Sequence, residues 1–151
     1  MKPAAKSTLL VAQCALARPS TGGCAWCGTS LPPGRRAWCG KVCADEFWKN
    51  HWWTLARRAA KRRDRRRCVR CGAAPPPRPS ARNFPTRDAH RAALRAWRGR
   101  RRDERLEVNH ILPCRGTHGT LSCRHHLDNL ETLCVACHRR HTSALPRGPH
   151  K

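Results

Sequence analysis

The spacing of the cysteines constrains this chain more than any other feature of its sequence. Three pairs follow the pattern Cys-x-x-Cys: Cys24 with Cys27, Cys68 with Cys71, and Cys134 with Cys137. This spacing is typical of zinc knuckles, in which nearby thiolates bind one tetrahedral ion. The total of eleven cysteines is odd, which fits a fully paired set of disulfides poorly. We therefore expect zinc sites and a reducing, cytoplasmic location.

The length and the aromatic content point to the same need for metal. A chain of 151 residues with two phenylalanines and no tyrosine can bury little apolar surface. No stretch reaches the length of a transmembrane helix, so we expect no membrane partner. Residues 7–17 loosely resemble a secretion signal, but Gln13 and Cys14 interrupt the apolar run, and we expect no export.

The net charge predicts the class of partner. The formal charge is +23, and so much positive charge repels itself unless a polyanion screens it. We therefore expect a nucleic-acid partner, with double-stranded DNA as the first candidate. RNA, or a place on a ribosome, is the alternative that the same charge would serve.

The first zinc module follows a tail at residues 1–20, which we predict to be disordered. Residues 21–66 contain the module and a basic helix, and its four candidate zinc ligands are Cys24, Cys27, Cys39 and Cys43. Two local disulfides in an exported protein are the alternative for these cysteines.

The basic helix is predicted from a stripe of apolar residues at helical spacing. Trp48, Trp52, Leu55 and Ala59 share this stripe, which favours packing in a core. Trp53 lies off the stripe, where it could contact DNA. Residues 57–67 are rich in arginine, and we expect a phosphate-binding role rather than a merely solvated face for Arg62, Arg63, Arg65 and Arg66.

Two further segments precede the last part of the chain. Residues 73–87 contain five prolines, at positions 75, 76, 77, 79 and 85, and this predicts an extended loop. A second cluster of arginines then accompanies a short apolar pattern of Ala92, Leu94 and Trp97. The two basic clusters could flank a duplex.

The last part of the chain has the pattern of a hairpin followed by a helix. Leu106, Val108 and Ile111 predict a strand that carries Asn109 and His110, and residues 127–133 predict its partner strand. The knuckle at Cys134 and Cys137 then leads into a helix. His138 and His141 lie three residues apart and share one face of that helix.

These residues resemble the HNH endonuclease family. The resemblance covers roughly residues 67–143 and rests on Glu107-Val108-Asn109-His110-Ile111-x-Pro113 and on Asp128-Asn129-Leu130-Glu131-Thr132-Leu133-Cys134-x-x-Cys137-His138. It implies an α+β fold: a ββα-metal, treble-clef-like HNH domain at residues 67–145, stapled by zinc and followed by a tail at 146–151. The implied zinc ligands are Cys68, Cys71, Cys134 and Cys137. The implied activity is metal-dependent hydrolysis of DNA phosphodiester bonds that leaves a 5′ phosphate.

The resemblance also implies roles for individual residues. His110 would be the general base, which suits an imidazole with a pKa near neutral pH, and Asn129 would orient it through a hydrogen bond. His138 and Asn109 would bind a catalytic divalent cation, which could be Mg²⁺, Mn²⁺, Ni²⁺ or Zn²⁺. Arg139 and Arg140 would stabilise charge or contact the DNA backbone.

One position departs from the family pattern, which usually has Asp or His where this chain has Asn109. A neutral amide is a weaker ligand than a carboxylate, so activity could be reduced, and His141 could supply the missing ligand or contact phosphate instead. A zinc-finger-like protein that binds nucleic acid with weak or no cleavage is therefore the rival hypothesis.

The loop between the predicted strands holds further candidate ligands for an ion: Cys114, His118, Cys123, His125 and His126. The sequence leaves their role open between another metal site and incidental loop positions. Cys14 is predicted to be an unpaired thiol in the tail.

Overall fold

The computed structural model describes residues 10–114 and 118–144, without the side chains of Arg102 and Asp103. The predicted tail at residues 146–151 and the first nine residues of the tail predicted at 1–20 lie outside this part of the chain. Four α-helices have both ends among the described residues: α1 Lys41–His51, α2 Trp53–Arg63, α3 Arg87–Asp103 and α4 Val135–Ala144. Residues 10–12 are also helical, and the two strands are β1 Leu106–His110 and β2 Leu130–Cys134.

The two strands pair in one sheet and α4 follows directly, so the order ββα is present in a mixed α and β fold. By its contacts the chain divides into two compact units. The first contains Met1–Ala60 and His110–Leu130, and the second contains Lys61–Asn109 and Glu131–Lys151. The division passes through both strands. None of the helices that the structure describes is long and apolar enough to cross a membrane.

The basic helix predicted as one element is broken at Trp52, where the backbone is extended with φ −104° and ψ 114°. The carbonyl of His51 accepts a hydrogen bond from the backbone N–H of Ser122 at 3.2 Å, and Leu55 N–H instead donates to the carbonyl of Trp52. A new helix, α2, therefore begins at Trp53.

This break overturns the predicted apolar stripe. Trp52 and Leu55 are each 37% exposed, whereas Phe47 and Ala56 are fully buried. The stripe assumed one continuous helix, and the extended residue at position 52 changes the face that each later residue presents. Of the four residues of the stripe, Ala59 alone is buried.

The core of the first unit is a set of rings around Phe47. Trp38, Trp48 and His51 lie with ring centroids 4.9, 5.2 and 4.5 Å from the Phe47 ring. Residues 10–20 are not wholly separate from this unit, because Val11 and Cys14 are buried at 2% and 6% exposure. The structure thus differs here from the expectation of a mobile tail.

The core of the second unit is smaller and half of it is cysteine. Its buried members are Cys68, Leu106, Leu133 and Cys137. Asp64 supports β2 from outside this core, since its Oδ2 accepts the backbone N–H of Thr132 at 3.0 Å. Such a small apolar core is expected to need the binding energy of a metal.

The proline-rich loop takes the extended form that the sequence predicts, and the second basic cluster lies on a helix. Residues 73–87 contain only one short 3₁₀ turn, Ala81–Asn83. α3 then begins at a capped N-terminus, where the Thr86 hydroxyl oxygen accepts the N–H of Ala89 at 3.1 Å. Trp97 on this helix donates its ring N–H to the carbonyl of Pro76 at 2.9 Å.

Candidate functional site: metal clusters and the hairpin

The four cysteines predicted in the first module lie together in the first unit. The sulfur atoms of Cys24, Cys27, Cys39 and Cys43 all lie within 4.8 Å of one another. The sulfurs of Cys27 and Cys39 are 3.7 Å apart, and those of Cys39 and Cys43 are 3.5 Å apart. A tetrahedral zinc ion with thiolate ligands at about 2.3 Å has sulfur–sulfur separations of roughly 3.8 Å. The set therefore fits a structural zinc ion.

The second predicted set lies together in the second unit. The sulfur atoms of Cys68, Cys71, Cys134 and Cys137 are also within 4.8 Å of one another, with 3.7 Å between Cys71 and Cys134. Burial raises the pKa of Cys68, but backbone N–H groups from Cys134, Cys71 and Arg70 outweigh burial and bring the pKa to about 6. The thiolate form that zinc requires is favoured at Cys68. At Cys71 a backbone hydrogen bond from Ala73 lowers the pKa, but the neighbouring cysteines outweigh it and raise the pKa to about 12.

Both sets begin with the same turn. The N–H of Gly28 donates to the carbonyl of Cys24 at 2.9 Å, and the N–H of Gly72 donates to the carbonyl of Cys68 at 2.8 Å. Each glycine has a positive φ, of 77° and 74°. All eleven cysteines are unbridged. The pairs therefore have the geometry of metal knuckles and not of disulfides.

His110 ends β1, and its ring is enclosed by other rings of the first unit. Trp53 stacks on it with centroids 4.8 Å apart and an interplanar angle of 19°. His125 Nδ1 lies 3.0 Å from His110 Nε2, in hydrogen-bonding range. His118 stacks at 5.4 Å. Burial, followed by the neighbouring rings of His125 and His118, lowers the pKa of His110 to about 4. The ring is therefore neutral at pH 7, but it is a weaker base than the near-neutral imidazole that the sequence predicts.

Asn129 also lies in the first unit, but its amide binds backbone. Its Oδ1 accepts the N–H of Leu112 at 2.7 Å, and its Nδ2 donates to the carbonyls of Leu112 and Arg124 at 3.1 and 2.8 Å. The backbone carbonyl of Asn129 accepts the N–H of Ile111 at 2.9 Å. The expected direct hydrogen bond to the imidazole is replaced by bonds that fix the chain just after His110.

His138 lies on the first turns of α4 in the second unit. Its Nδ1 is 2.6 Å from Glu107 Oε2, a contact in which the ring nitrogen donates to the carboxylate. This leaves Nε2 as the nitrogen with a lone pair. A carboxylate that fixes the tautomer in this way is the usual outer partner of a histidine that binds metal.

Asn109 is the residue of β1 directly before His110. Its Nδ2 donates to Glu131 Oε1 at 3.1 Å, so its Oδ1 remains the atom that can bind a cation. Glu131 is held in turn by Arg70, whose guanidinium donates to both carboxylate oxygens at 3.2 and 2.9 Å. The amide of Asn109 is thus oriented by a chain of hydrogen bonds.

His141 shares this network with Arg70. Its Nδ1 accepts a hydrogen bond from the guanidinium of Arg70 at 3.1 Å and lies 3.9 Å from Glu131 Oε1. In that tautomer Nε2 carries the proton, and it is buried with no hydrogen-bond partner among the described residues. This arrangement favours packing over metal binding for His141.

The two atoms that these contacts leave for the predicted cation are Asn109 Oδ1 and His138 Nε2, an oxygen and an imidazole nitrogen. Within residues 10–114 and 118–144, no group of three His, Cys, Asp or Glu ligand atoms within 4.8 Å includes His138 or His141. A cation bound by these two residues alone would keep most of its ligands as water or phosphate oxygen.

The predicted DNA-binding arginines are exposed. Arg62 and Arg63 end α2, and Arg65 and Arg66 follow in a turn where both have positive φ, of 51° and 53°. Arg63 is paired with Asp64 at 2.8 Å.

The arginines of α4 differ from each other. Arg139 is exposed, whereas Arg140 donates to the sulfur of Cys137 at 3.1 Å. Arg140 therefore has a structural partner in the second four-cysteine set. Arg139 is the better placed of the two for contact with phosphate.

The residues of the loop divide between two clusters of the first unit. Cys123 and His126 join Cys14 and His51, while Cys114 and His125 join His110. No role is predicted from the sequence for His51, and the contacts of Trp53, Glu107 and His125 with the candidate catalytic residues are likewise not predicted. The adjacent histidines at 125 and 126 were the signal for the loop, but nothing in the sequence says which ring faces which cluster.

A comparison with protein families agrees with the resemblance of this segment to the HNH endonucleases. The model of the HNH endonuclease family matches residues 96–144. No curated protein and no solved structure matches the chain. The matched segment includes both strands, the loop between them and α4, and an HNH domain indicates nuclease-type function in general. The segment that carries His110, Asn129 and His138 is thus a match to the HNH endonuclease family, as the resemblance predicted.

Proposed function

We propose that this protein is a metal-dependent HNH endonuclease that hydrolyses phosphodiester bonds in double-stranded DNA. The family match supports the reaction type, and the net charge of +23 supports a polyanionic substrate. The observation that carries the proposal is the placement of His110, whose ring is fixed at the end of β1 by Trp53 and His125.

His110 acts as the general base in this proposal. A neutral imidazole can take the proton of a water molecule that attacks the scissile phosphorus, and positioned bases of this kind contribute about 10²–10⁴-fold to rate. The stack on Trp53 holds the plane of the ring, and His125 holds its Nε2 edge. The base is therefore oriented before substrate binds.

Asn129 acts through the backbone. Its three amide hydrogen bonds fix Leu112 and Arg124 on either side of the loop that returns to β2. Loss of these bonds would free the chain that follows His110. Asn129 is thus a positioning residue, as the resemblance implies, but it acts on the backbone and not on the imidazole.

Asn109 Oδ1 and His138 Nε2 would bind the divalent cation. When bound, such a cation stabilises negative charge on the phosphate and on the leaving 3′ oxygen. Glu107 fixes the His138 tautomer, and Glu131 fixes the Asn109 amide. The zinc ions of the two four-cysteine sets are structural in this proposal.

The exposed arginines would bind the DNA backbone. Arg62, Arg65, Arg66 and Arg139 are available for phosphate contacts, which give affinity without sequence readout. Low sequence specificity is expected.

The first experiment is cleavage of supercoiled plasmid by the full chain with Mg²⁺, Mn²⁺ or Ni²⁺. Wild-type protein should nick the plasmid, EDTA should stop it, and His110→Ala should lower the rate by about 10³-fold. His90→Ala is the matched control, because His90 contacts Phe84 and the carbonyl of Pro79. Equal rates for the His110→Ala and His90→Ala variants would contradict the proposal.

One observation favours a second function, in which the protein binds DNA or RNA with little cleavage. Asn109 is a neutral ligand, and its amide is already hydrogen-bonded to Glu131. Under this hypothesis the wild type binds duplex tightly and does not cut it with any of the three cations. Asn109→Asp would then raise cleavage by about tenfold or more, because a carboxylate binds a hard cation better than an amide does. Competition between duplex DNA and RNA would identify the preferred partner.

A further inference from the structure

Another group of candidate metal ligands lies in the first unit, apart from the four-cysteine sets. It consists of Cys14, His51, Cys123 and His126, whose ligand atoms all lie within 4.8 Å of one another. The four residues come from the N-terminal segment, the end of α1 and the loop after β1. Residues so distant in sequence do not converge by local turn geometry, so the folding of the whole unit brings them together.

The separations within this set are close to those of a tetrahedral site, with the two imidazoles a few tenths of an ångström nearer to each other. Cys14 Sγ lies 3.3 Å from His51 Nε2 and 3.4 Å from His126 Nε2, and the two Nε2 atoms are 3.1 Å apart. Zinc with imidazole at about 2.05 Å and thiolate at about 2.3 Å has ligand–ligand separations of roughly 3.3–3.8 Å. Hydrogen bonds alone would not require four donors and acceptors to share one centre.

The set is also shielded from water. Cys14, His51 and His126 are 6%, 0% and 9% exposed. His51 Nδ1 donates to the carbonyl of Phe47 at 2.8 Å, which places the lone pair on Nε2 and aims it at the other three ligands. An oriented neutral imidazole with its far nitrogen bonded to a backbone carbonyl is the arrangement that metal-binding histidines have.

We propose that Cys14, His51, Cys123 and His126 bind a third structural zinc ion. Two thiolates and two neutral imidazoles balance the two positive charges of the ion. Binding releases the protons of the two thiols to solvent, and no oxidation is involved.

This site would also support the general base of the proposed nuclease. Trp53 follows His51 by two residues and stacks on His110, and His125 precedes His126 and contacts His110 Nε2. Two of the rings around His110 are therefore held next to ligands of the same ion. The zinc site itself does not depend on the proposed activity.

The test measures zinc per chain, by mass spectrometry under native conditions, in the purified full-length protein and its variants. Cys14→Ser and Cys123→Ser should each contain one zinc ion fewer than the wild type. The double variant should lose the same single ion, because both residues bind it. Cys14→His, which keeps a ligand, should restore the wild-type content. Cys114→Ser is the control and should keep every ion.

Unchanged zinc content in both single variants would overturn the proposal, as would the loss of two ions in the double variant. Zinc lost from Cys114→Ser but not from Cys14→Ser would place the ion at His110 instead and also overturn it. Cobalt substitution of the wild type needs no variant: its absorption should include bands of a Cys₂His₂ site beside those of Cys₄ sites, and Cys₄ bands alone would contradict the inference.

Discussion

The four-cysteine set of the first unit and that of the second unit begin with the same backbone turn, but they differ in what surrounds them. Cys24 and Cys68 each accept the N–H of a glycine four residues later. In the first unit the set closes within residues 24–43 and stands beside a separate ring core around Phe47. In the second unit the set joins residues 68–71 to residues 134–137, and two of its cysteines are core residues.

The residue after the last cysteine also differs. Ala44 follows Cys43, whereas His138 follows Cys137 and is tied to Glu107. The same knuckle thus serves a local module in one unit and places a candidate ligand for catalysis in the other. Similar metal geometry does not imply a similar role.

The largest expected difference is in the stability of the Cys43→Ser and Cys137→Ser variants. Cys137→Ser should remove one zinc and destabilise the second unit by several kcal/mol, because the ion joins distant segments and half of the buried core is cysteine. Cys43→Ser should remove one zinc with a smaller, local effect. Hydrogen exchange resolved by segment measures both. Equal loss of protection in residues 106–110 in the two variants would contradict the expected difference between the two sets.

The Glu107→Gln variant tests whether His138, which follows the second four-cysteine set, binds a catalytic cation. The amide would no longer accept the His138 proton as a carboxylate does, so cation affinity should fall by about 10–100-fold. The dependence of plasmid cleavage on Mn²⁺ concentration measures this affinity. Glu46→Gln is the control, since Glu46 pairs with Lys49 on α1. An unchanged metal dependence would show that His138 needs no fixed tautomer.

Gly28→Ala and Gly72→Ala compare the two turns directly. Both glycines have positive φ, and an alanine there costs about 1 kcal/mol. A Cβ at Gly28 would lie 2.5 Å from the carbonyl oxygen of Arg18, whereas nothing lies within 4 Å of one at Gly72. Gly28→Ala should therefore destabilise more. Thermal unfolding of both variants measures the order, and the reverse order would refute the packing difference.

Arg65→Gly and Arg66→Gly should have the smallest effects on stability. Both arginines adopt positive φ, so glycine should relieve strain and stabilise the second unit by about 0.5 kcal/mol. The same variants should weaken DNA binding and reduce its salt dependence. The matched Ala variants remove the charge but keep the strain. Equal stability of the Gly and Ala variants would show that the turn is not strained.

Much of the metal chemistry could be predicted from sequence because it depends on local spacing. The Cys-x-x-Cys pairs and the strand before His110 are short-range patterns, and the structure has both. The helix break at Trp52 could not be predicted in this way, because it depends on a hydrogen bond from Ser122, far along the chain.

The same reason explains what sequence missed around His110. Trp53 and His125 lie on opposite sides of a long stretch of chain, and only the fold brings both to one ring. The resemblance predicts a role for Asn129, but the partner of its amide is backbone, which no residue pattern records. The roles of Asn109, His138 and His141 remain predictions.

A transfer of the HNH segment into another protein would have to include more than the matched residues. Residues 96–144 match the family, but the loop inside them belongs to the same compact unit as residues 1–60. A cassette cut at residue 61 would carry Cys123 and His126 without Cys14 and His51, and it would lack the indole of Trp53. The segment that looks transplantable by homology is therefore only part of the smallest piece that can be grafted.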